Sequence, residues 1–342
     1  MGDVSVAKNW RLPVMGDVAR LAGVSHMTVS RVLNEPGSVR PETRERVLLA
    51  IEQLGYRRNS AARSLVTRRS QTLGVVCFDT THHGPASMLN GIVHATEEAG
   101  YAVSVASLRR LTADAATQAV QRLVHQSVEG LVLIAPQAVE AMAFVRALPT
   151  TLAVVAVENA LPTVTSVSVD QVLGARLATE HLLSLGHETV HHVRGPADWS
   201  EANGRVEGWM TALEANGRPV PRELAGDWSA ASGYAAGRKL ARDPRVTAVF
   251  SANDSMALGV LRALLEAGLR VPEDVSVVGF DDFPEAAYVT PPLTTVSQPF
   301  REVGRRSIEI LLGEIEGGAA RGASAVIPPE LVVRASTAPR RR

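Results

Sequence analysis

The sequence predicts an α/β chain: an all-α helix-turn-helix head, a linker, and two doubly wound parallel-sheet lobes. Three observations carry this reading. Near the start, apolar residues recur at helical spacing in three short stretches separated by turn residues. Beyond residue 71, short β-rich runs alternate with helical stretches that close on glycine, over more than 250 residues. The length, 342 residues, exceeds one ordinary domain and suits a small head with two lobes.

Residues 1–13 read as a loose tail and 14–58 as the head. Met15, Val18, Ala19 and Ala22 follow the i, i+3, i+4, i+7 rule, and Gly23 breaks that helix. Ser25 caps a second helix running from His26 to about Asn34. Glu35-Pro36-Gly37-Ser38 is a turn cluster. Pro41 suits the first position of a third helix with the apolar face Val47, Leu48, Ile51, Leu54, closed by Gly55. Residues 59–70 form a linker. In the remainder, strands are predicted at Thr72–Phe78, Tyr101–Leu108, Gly130–Ala135, Leu152–Glu158, Thr189–Val193, Ala248–Ala252 and Val275–Phe280, with Leu331–Arg334 last. Helices between them end near Gly100, Gly186, Gly217 and Gly268. The body is expected over 71–338: one lobe from 71–169 and 300–327, the other from 170–299 and 328–338, with 339–342 as a tail.

The charge is zero overall but unevenly placed. Residues 1–70 hold 12 Lys/Arg against 6 Asp/Glu, and the rest hold 23 against 29. A basic head on an acidic body points to a polyanion partner for the head. No 18-residue apolar stretch and no leader-like start is visible, so a cytoplasmic protein with no membrane partner is expected. The single cysteine, Cys77, lies in an apolar run and reads as a core residue.

In the head, Val24, Val29 and Val32 are expected to lock the first two helices together. That turns His26, Met27, Ser30 and Arg31 outward, toward base edges in a major groove, with Arg31 suited to guanine. Thr28 and Asn34 suit phosphate contacts, and Ser25 completes the candidate DNA surface.

The block Gly16–Ser25, then Thr28–Asn34, Arg40–Val47, Leu54-Gly55-Tyr56 and Asn59, resembles the lactose-repressor (LacI/GalR-type) family of transcriptional regulators. The likeness runs through nearly the whole chain, to Pro291-Pro292-Leu293-Thr294-Thr295. It implies that the segment from Asn59 is a hinge helix, packed through Ala62 and Leu65 in a homodimer, with Leu65 as an apolar wedge in the minor groove. Eleven isolated residues are marginal as a helix in water, so DNA and partner would stabilise it. The implied partners are double-stranded operator DNA, a small saccharide effector and a second copy of the chain.

The body also resembles periplasmic sugar-binding proteins. In parallel α/β lobes, ligands sit beyond the carboxyl ends of strands. Asp281, Asn253, Asp254, Arg205 and Asp227-Trp228 fall at or near such ends. A sugar needs donors and acceptors for its hydroxyls and a flat apolar surface for its C–H face. Arg205 and Asn253 donate, Asp281 accepts, and Trp228 stacks. The resemblance places these four in the effector site, with Phe300 and the His83–Met88 edge (His83, Pro85, Met88). Trp199 is a second loop tryptophan, and Glu158 stands where lactose-repressor pockets carry aspartate. Ile134 and Glu201 stand where those pockets carry asparagine and serine, so galactoside preference does not transfer. Several phrases, among them Val154–Glu158 and Gly195–Trp199, are more similar to actinobacterial regulators of cellobiose-type uptake, which makes a β-linked disaccharide the narrower expectation.

Other readings fit less well. His187-Glu188-Thr189-Val190-His191 matches a zinc-protease string, but on a strand its histidines lie roughly 13 Å apart. One metal cannot bridge them, and no cofactor is implied. An enzyme using paired carboxylates from Glu158, Glu201 and Asp281, or a transport receptor, remains an alternative class. The final residues, 335–342, lack leucines and contain a proline, so a coiled-coil tetramer is not expected. The dimer contact is expected from helices near Met88–Gly100 and the edge at Cys77-Phe78.

Overall fold

The computed structural model describes residues 13–56, 69–108, 112–134, 148–149, 151–158, 164–317, 322 and 324–340. It divides into two compact units, Met1–Ser70 and Gln71–Arg342.

The first unit holds α1 (Met15–Ala22), α2 (His26–Asn34), a 3-10 turn (Pro36–Ser38) and α3 (Pro41–Leu54). Local chemistry sets each boundary. Gly23 ends α1 in the left-handed region (φ 65°), where its N–H and that of Val24 satisfy the last carbonyls. Ser25 Oγ then accepts from the Thr28 amide at 3.1 Å, starting α2. The core is small: Val18, Ala19, Ala22, Val29, Val32, Val47, Ala50 and Tyr56, with Met15, Val24, Ile51 and Leu54 packed on it. One expectation fails here. Leu48 is 51% exposed, and Ala50 takes its place on the buried face, because a helical stripe from Val47 runs through i+3, i+4 and i+7 and leaves i+1 outside.

The second unit contains two six-stranded sheets. In lobe one the strands are β1 (Thr72–Phe78), β2 (Ala102–Leu108), β3 (Gly130–Ile134), β4 (Ala153–Val157), β5 (Thr165–Val169) and β11 (Ser324–Ile327), ordered β11-β5-β4-β3-β1-β2 and all parallel. Strands β3 and β4 are buried along their whole length, and β1 from Leu73 onward. Parallel sheets covered on both faces read as apolar runs of this kind. Leu73, Val75 and Cys77 face α4 (His83–Glu98) and α10 (Phe300–Ile315), whereas Val76 and Phe78 face α5 (Ala113–His125). Helices α4 and α10 touch backbone to backbone: a Cβ on Gly304 would lie 2.3 Å from the Gly91 carbonyl carbon.

Lobe two has β6 (His191–Arg194), β7 (Leu224–Ala225), β8 (Ala248–Ser251), β9 (Ser276–Asp281), β10 (Thr294–Ser297) and β12 (Glu330–Val332), ordered β12-β10-β9-β8-β6-β7. Helices α6 (Gln171–Ser184) and α7 (Ser200–Ala215) cover one face, and α8 (Ala230–Leu240) and α9 (Asp254–Glu266) the other. This sheet is not wholly parallel, because β12 pairs antiparallel with β10. The chain passes between the lobes at 169–171, 297–300 and 327–330.

Three further details depart from the sequence reading. Cys77 is fully buried in a strand with neighbours on both sides, so it forms no edge for a dimer. β6 begins at His191, and His187 precedes it on a loop, bonding Thr247 Oγ1 and Ser276 Oγ through its two ring nitrogens at 3.0 and 3.1 Å. The stretch after the last strand belongs to lobe two, as expected up to 338, but the attachment continues past that point to Arg340. Ser336 is completely buried and bonds the Thr294 amide and the Val277 carbonyl, and Arg340 pairs with Glu188 at 2.7 Å.

Candidate functional site

Two surfaces gather the polar and aromatic residues singled out above. On α2, Val29 and Val32 are buried, and Ser25, His26, Met27, Arg31 and Asn34 stand exposed, with Thr28 and Ser30 half-buried. Met27 is 65% exposed, far more than an apolar side chain packed for stability. Ser25 and Thr28 share a hydroxyl bond at 2.9 Å, and Asn34 Nδ2 donates to Ser30 Oγ at 3.3 Å. The outward row His26, Met27, Ser30, Arg31 and Asn34 thus lies on one face of a nine-residue helix. Asn59, Ala62 and Leu65 lie outside the described residues.

The second surface is a cleft between the lobes of the body. It holds about 540 Å³ of space not filled by atoms, open solvent at its mouth included. Lobe one supplies His82, His83, Gly84, Pro85 and Met88 from the start of α4, then Ile134, Glu158 and Phe300. Lobe two supplies Gln171, Trp199, Glu201, Arg205, Trp228, Asn253 and Asp281, and Gln298 sits at a crossing. All ten residues expected at an effector site line this one cavity. It lies where parallel strands end: Ile134, Glu158, Asn253 and Asp281 close or directly follow β3, β4, β8 and β9.

Arg205 is 4% exposed and organises the floor. Its Nε donates to Gln171 Oε1 at 2.9 Å, and its Nη1 donates to the Ala252 carbonyl and lies 3.5 Å from Asp281 Oδ1. Its guanidinium stands 3.8 Å from the Phe280 ring centroid and 5.4 Å from that of Trp228. Asp281 also accepts from Gln298 Nε2 at 2.7 Å. Gln171 Nε2 donates to Gln298 Oε1 at 2.9 Å and to Glu158 Oε2 at 3.1 Å, so a continuous network crosses from one lobe to the other.

Three carboxylates share this arginine. Burial raises Asp281 above its usual range, and Arg205 opposes the rise. Burial pushes Glu158 up to about 7, opposed by the Val169 amide, Gln171 and Arg205. Glu201 goes to about 8, by burial first and by the nearby Glu158 second. Glu201 Oε2 and Trp228 Nε1 are buried with no hydrogen-bond partner among the described residues. Glu158 (φ 68°), Trp228 (φ 71°) and Asp281 (φ 105°) all hold left-handed backbone that side chains other than glycine seldom adopt. Strain of this kind, of order 1–3 kcal/mol per residue, collects at sites of function.

The remaining cleft residues serve as supports as well. Asn253 caps α9 through Oδ1 to the Met256 amide at 2.8 Å, and its Nδ2 donates to the Trp228 carbonyl at 3.1 Å. The Trp228 ring packs directly on Gly195, where a Cβ would fall 2.2 Å from the indole, and meets Trp199 edge-on at 5.5 Å. Trp228 is 6% exposed, so the stacking surface expected from it is largely covered. Asp254, the other strand-end carboxylate, points away and holds the loop after β9, accepting from the Phe283 amide at 2.9 Å and Thr295 Oγ1 at 2.6 Å.

The sequence reading does not include His82, Gln171 and Gln298; it treats Ile134 as a departure, and Glu201 as a departure and as a carboxylate of the alternative enzyme reading. Gln298 directly follows β10, and Gln171 opens α6 one residue beyond the end of β5; both strands are absent from the sequence reading. The polar residue closing each run was the available signal.

Comparison with known proteins agrees with this geometry. Residues 14–59 match the model of bacterial regulatory proteins, lacI family, and 179–337 match a periplasmic binding protein-like domain. The regulator CelR of Thermobifida fusca is 36% identical over 341 residues, 95% of this chain and 98% of that protein. The lac repressor dimer bound to operator and an anti-inducer superposes with a TM-score of 0.87 at 35% identity, covering 96% of this chain and all of that one. A complex of CelR with cellobiose gives 0.72 at 34% identity, covering 95% and 99%.

Proposed function

Since this chain belongs to the lacI family of bacterial regulatory proteins, we propose that it is a repressor whose grip on operator DNA is set by a saccharide held between the lobes of its body. The observation that carries the effector half is the cleft itself. Arg205, Asn253, Asp281, Glu158 and two tryptophans converge at strand ends on one cavity. Hydroxyls of a sugar find donors and acceptors there, and Met88, Ile134 and Phe300 face its C–H surfaces. The CelR complex with cellobiose supports a β-linked disaccharide.

The DNA half rests on α2. Arg31 pairs with a guanine edge, His26, Met27 and Ser30 make neighbouring contacts, and Ser25, Thr28 and Asn34 hold phosphates. We assign reading to 14–58, a hinge to 59–70 with Asn59, Ala62 and Leu65 on the DNA, and sensing to 71–338. A two-fold operator is best read by a two-fold protein, and the lac repressor is a dimer on its operator, which supports a homodimer here. No helix among the described residues is long and apolar enough to cross a membrane. A protein that works on bacterial DNA does so in the cytoplasm, and its relatives are regulators rather than enzymes.

The test joins both halves. The full chain is titrated with operator DNA in the presence of mono- and disaccharides, and melted with each. On this reading a sugar that raises the melting temperature also shifts operator affinity, and operator DNA shifts the affinity for that sugar by the same factor. Sugars that bind without moving operator affinity would sink the regulatory reading.

A further inference from the structure

The cleft carries an imbalance of charge. Glu158, Glu201 and Asp281 face one guanidinium, that of Arg205. Asp281 has Arg205 at 3.5 Å, the Gln298 amide and the neighbouring His82 and His83. Glu158 has the Gln171 amide and the Val169 N–H. Glu201 has less: its own backbone N–H and the more distant charge of Arg205 favour its carboxylate, but its Oε2 is buried with no partner among the described residues, and Glu158 lies close enough to repel it. A buried carboxylate oxygen with no donor is costly, so the site is incomplete at Glu201 Oε2. Its missing component supplies positive charge and N–H donors on the Glu201 side.

A metal ion does not fit that description. Among the described residues no three His, Cys, Asp or Glu side chains converge on one point. The carboxylates are spread around the cleft among indoles, a phenyl ring and side-chain amides that are already engaged with one another. A second unpartnered group asks for the opposite chemistry. Trp228 Nε1, in a residue 6% exposed, needs an acceptor such as a hydroxyl oxygen. One ligand thus has to offer an ammonium at one point and hydroxyls at others. We infer that the effector is an amino-bearing saccharide, its ammonium seated against Glu201 and Glu158 and its hydroxyls against Arg205, Asp281 and Trp228. This rests on the saccharide reading above.

The experiment uses the full-length protein and matched sugars that differ only in the C2 substituent of each ring. Glucosamine, glucose and N-acetylglucosamine form one set. The galactose and mannose series form two more, and β-1,4-linked diglucosamine, cellobiose and N,N′-diacetylchitobiose a fourth. Calorimetric titration near pH 6.5 keeps the amines charged. The result expected is a set in which the amine binds at least about tenfold tighter than its hydroxyl and acetylated partners. In Glu201→Gln that ratio should shrink to about twofold or less. The ratio is read on the wild-type chain first, so the inference stands or falls even if the variant folds poorly. If the sugars that bind favour the hydroxyl or acetylated form, the amine inference is overturned and the saccharide reading stands. If no sugar binds while operator binding is intact, both are overturned.

Discussion

In α2 of the head, His26, Met27 and Arg31 stand in water, and the side chains behind them, Val29 and Val32, do the packing. In the cleft the same kinds of residue are buried and bonded to one another: Arg205 to Gln171, Asp281 and Ala252, and Asn253 to Met256 and Trp228. The head therefore separates recognition from stability, and the cleft combines them. A side chain on α2 can be changed with little cost to folding, whereas almost any cleft residue is also part of the lobe that carries it.

Substitutions can break or sharpen that contrast. The largest effect is expected for Arg205→Ala, which leaves Asp281 buried without its cation. Thermal melting should show a loss of about 3–5 kcal/mol together with loss of the sugar response. A variant as stable as wild type would break the contrast at its centre. Glu201→Gln is expected next, with the opposite sign. A carboxyl held near 8 in the folded chain ionises near its ordinary 4.5 once unfolded, so the unfolded state binds fewer protons between those values. Ligand-free stability then falls as pH rises from about 4.5 to 8, and Glu158, held near 7, adds to the slope. Removing the Glu201 charge should raise the melting temperature clearly at pH 8.5 and little at pH 4.5. Buried His192, pushed down to about 3, acts in reverse, costing stability as pH falls below about 6.5. A flat melting-temperature profile across pH 5–8 would contradict the arrangement.

On the other side of the comparison, Arg31→Ala should cost roughly 1–3 kcal/mol of operator discrimination at one base position, with an unchanged melting curve. The smallest effect belongs to Ser25→Ala, about 1 kcal/mol of head stability through the lost cap, with a parallel loss of operator affinity.

The head was almost entirely legible in the sequence, because its signals are local: Gly23, Ser25, Pro41 and Gly55 stand at helix boundaries. Leu48 was misplaced because a helix with apolar residues at 47, 48 and 49 has no single stripe to read. In the body, strands buried on both faces announced themselves. Thr165–Val169 and Thr294–Ser297, rich in Thr and Ser, did not, though they are buried in the sheets. The ten effector candidates share one cavity because strand ends converge, which strand order alone implies. The two glutamines were not legible, because their importance lies in partners 13 to 127 residues away.

The Gln171 side chain has a further consequence. Its amide is planar and fully engaged, with two hydrogens given to Glu158 and Gln298 and its oxygen taken by Arg205. Glu158 belongs to one lobe and Arg205 to the other. Hydrogen bonds weaken steeply once donor and acceptor leave alignment, so a rotation of one lobe by a few tens of degrees cannot stretch this set gradually. It holds or it lets go, and the angle between the lobes then has a preferred value with a threshold on either side, as a detent gives a dial.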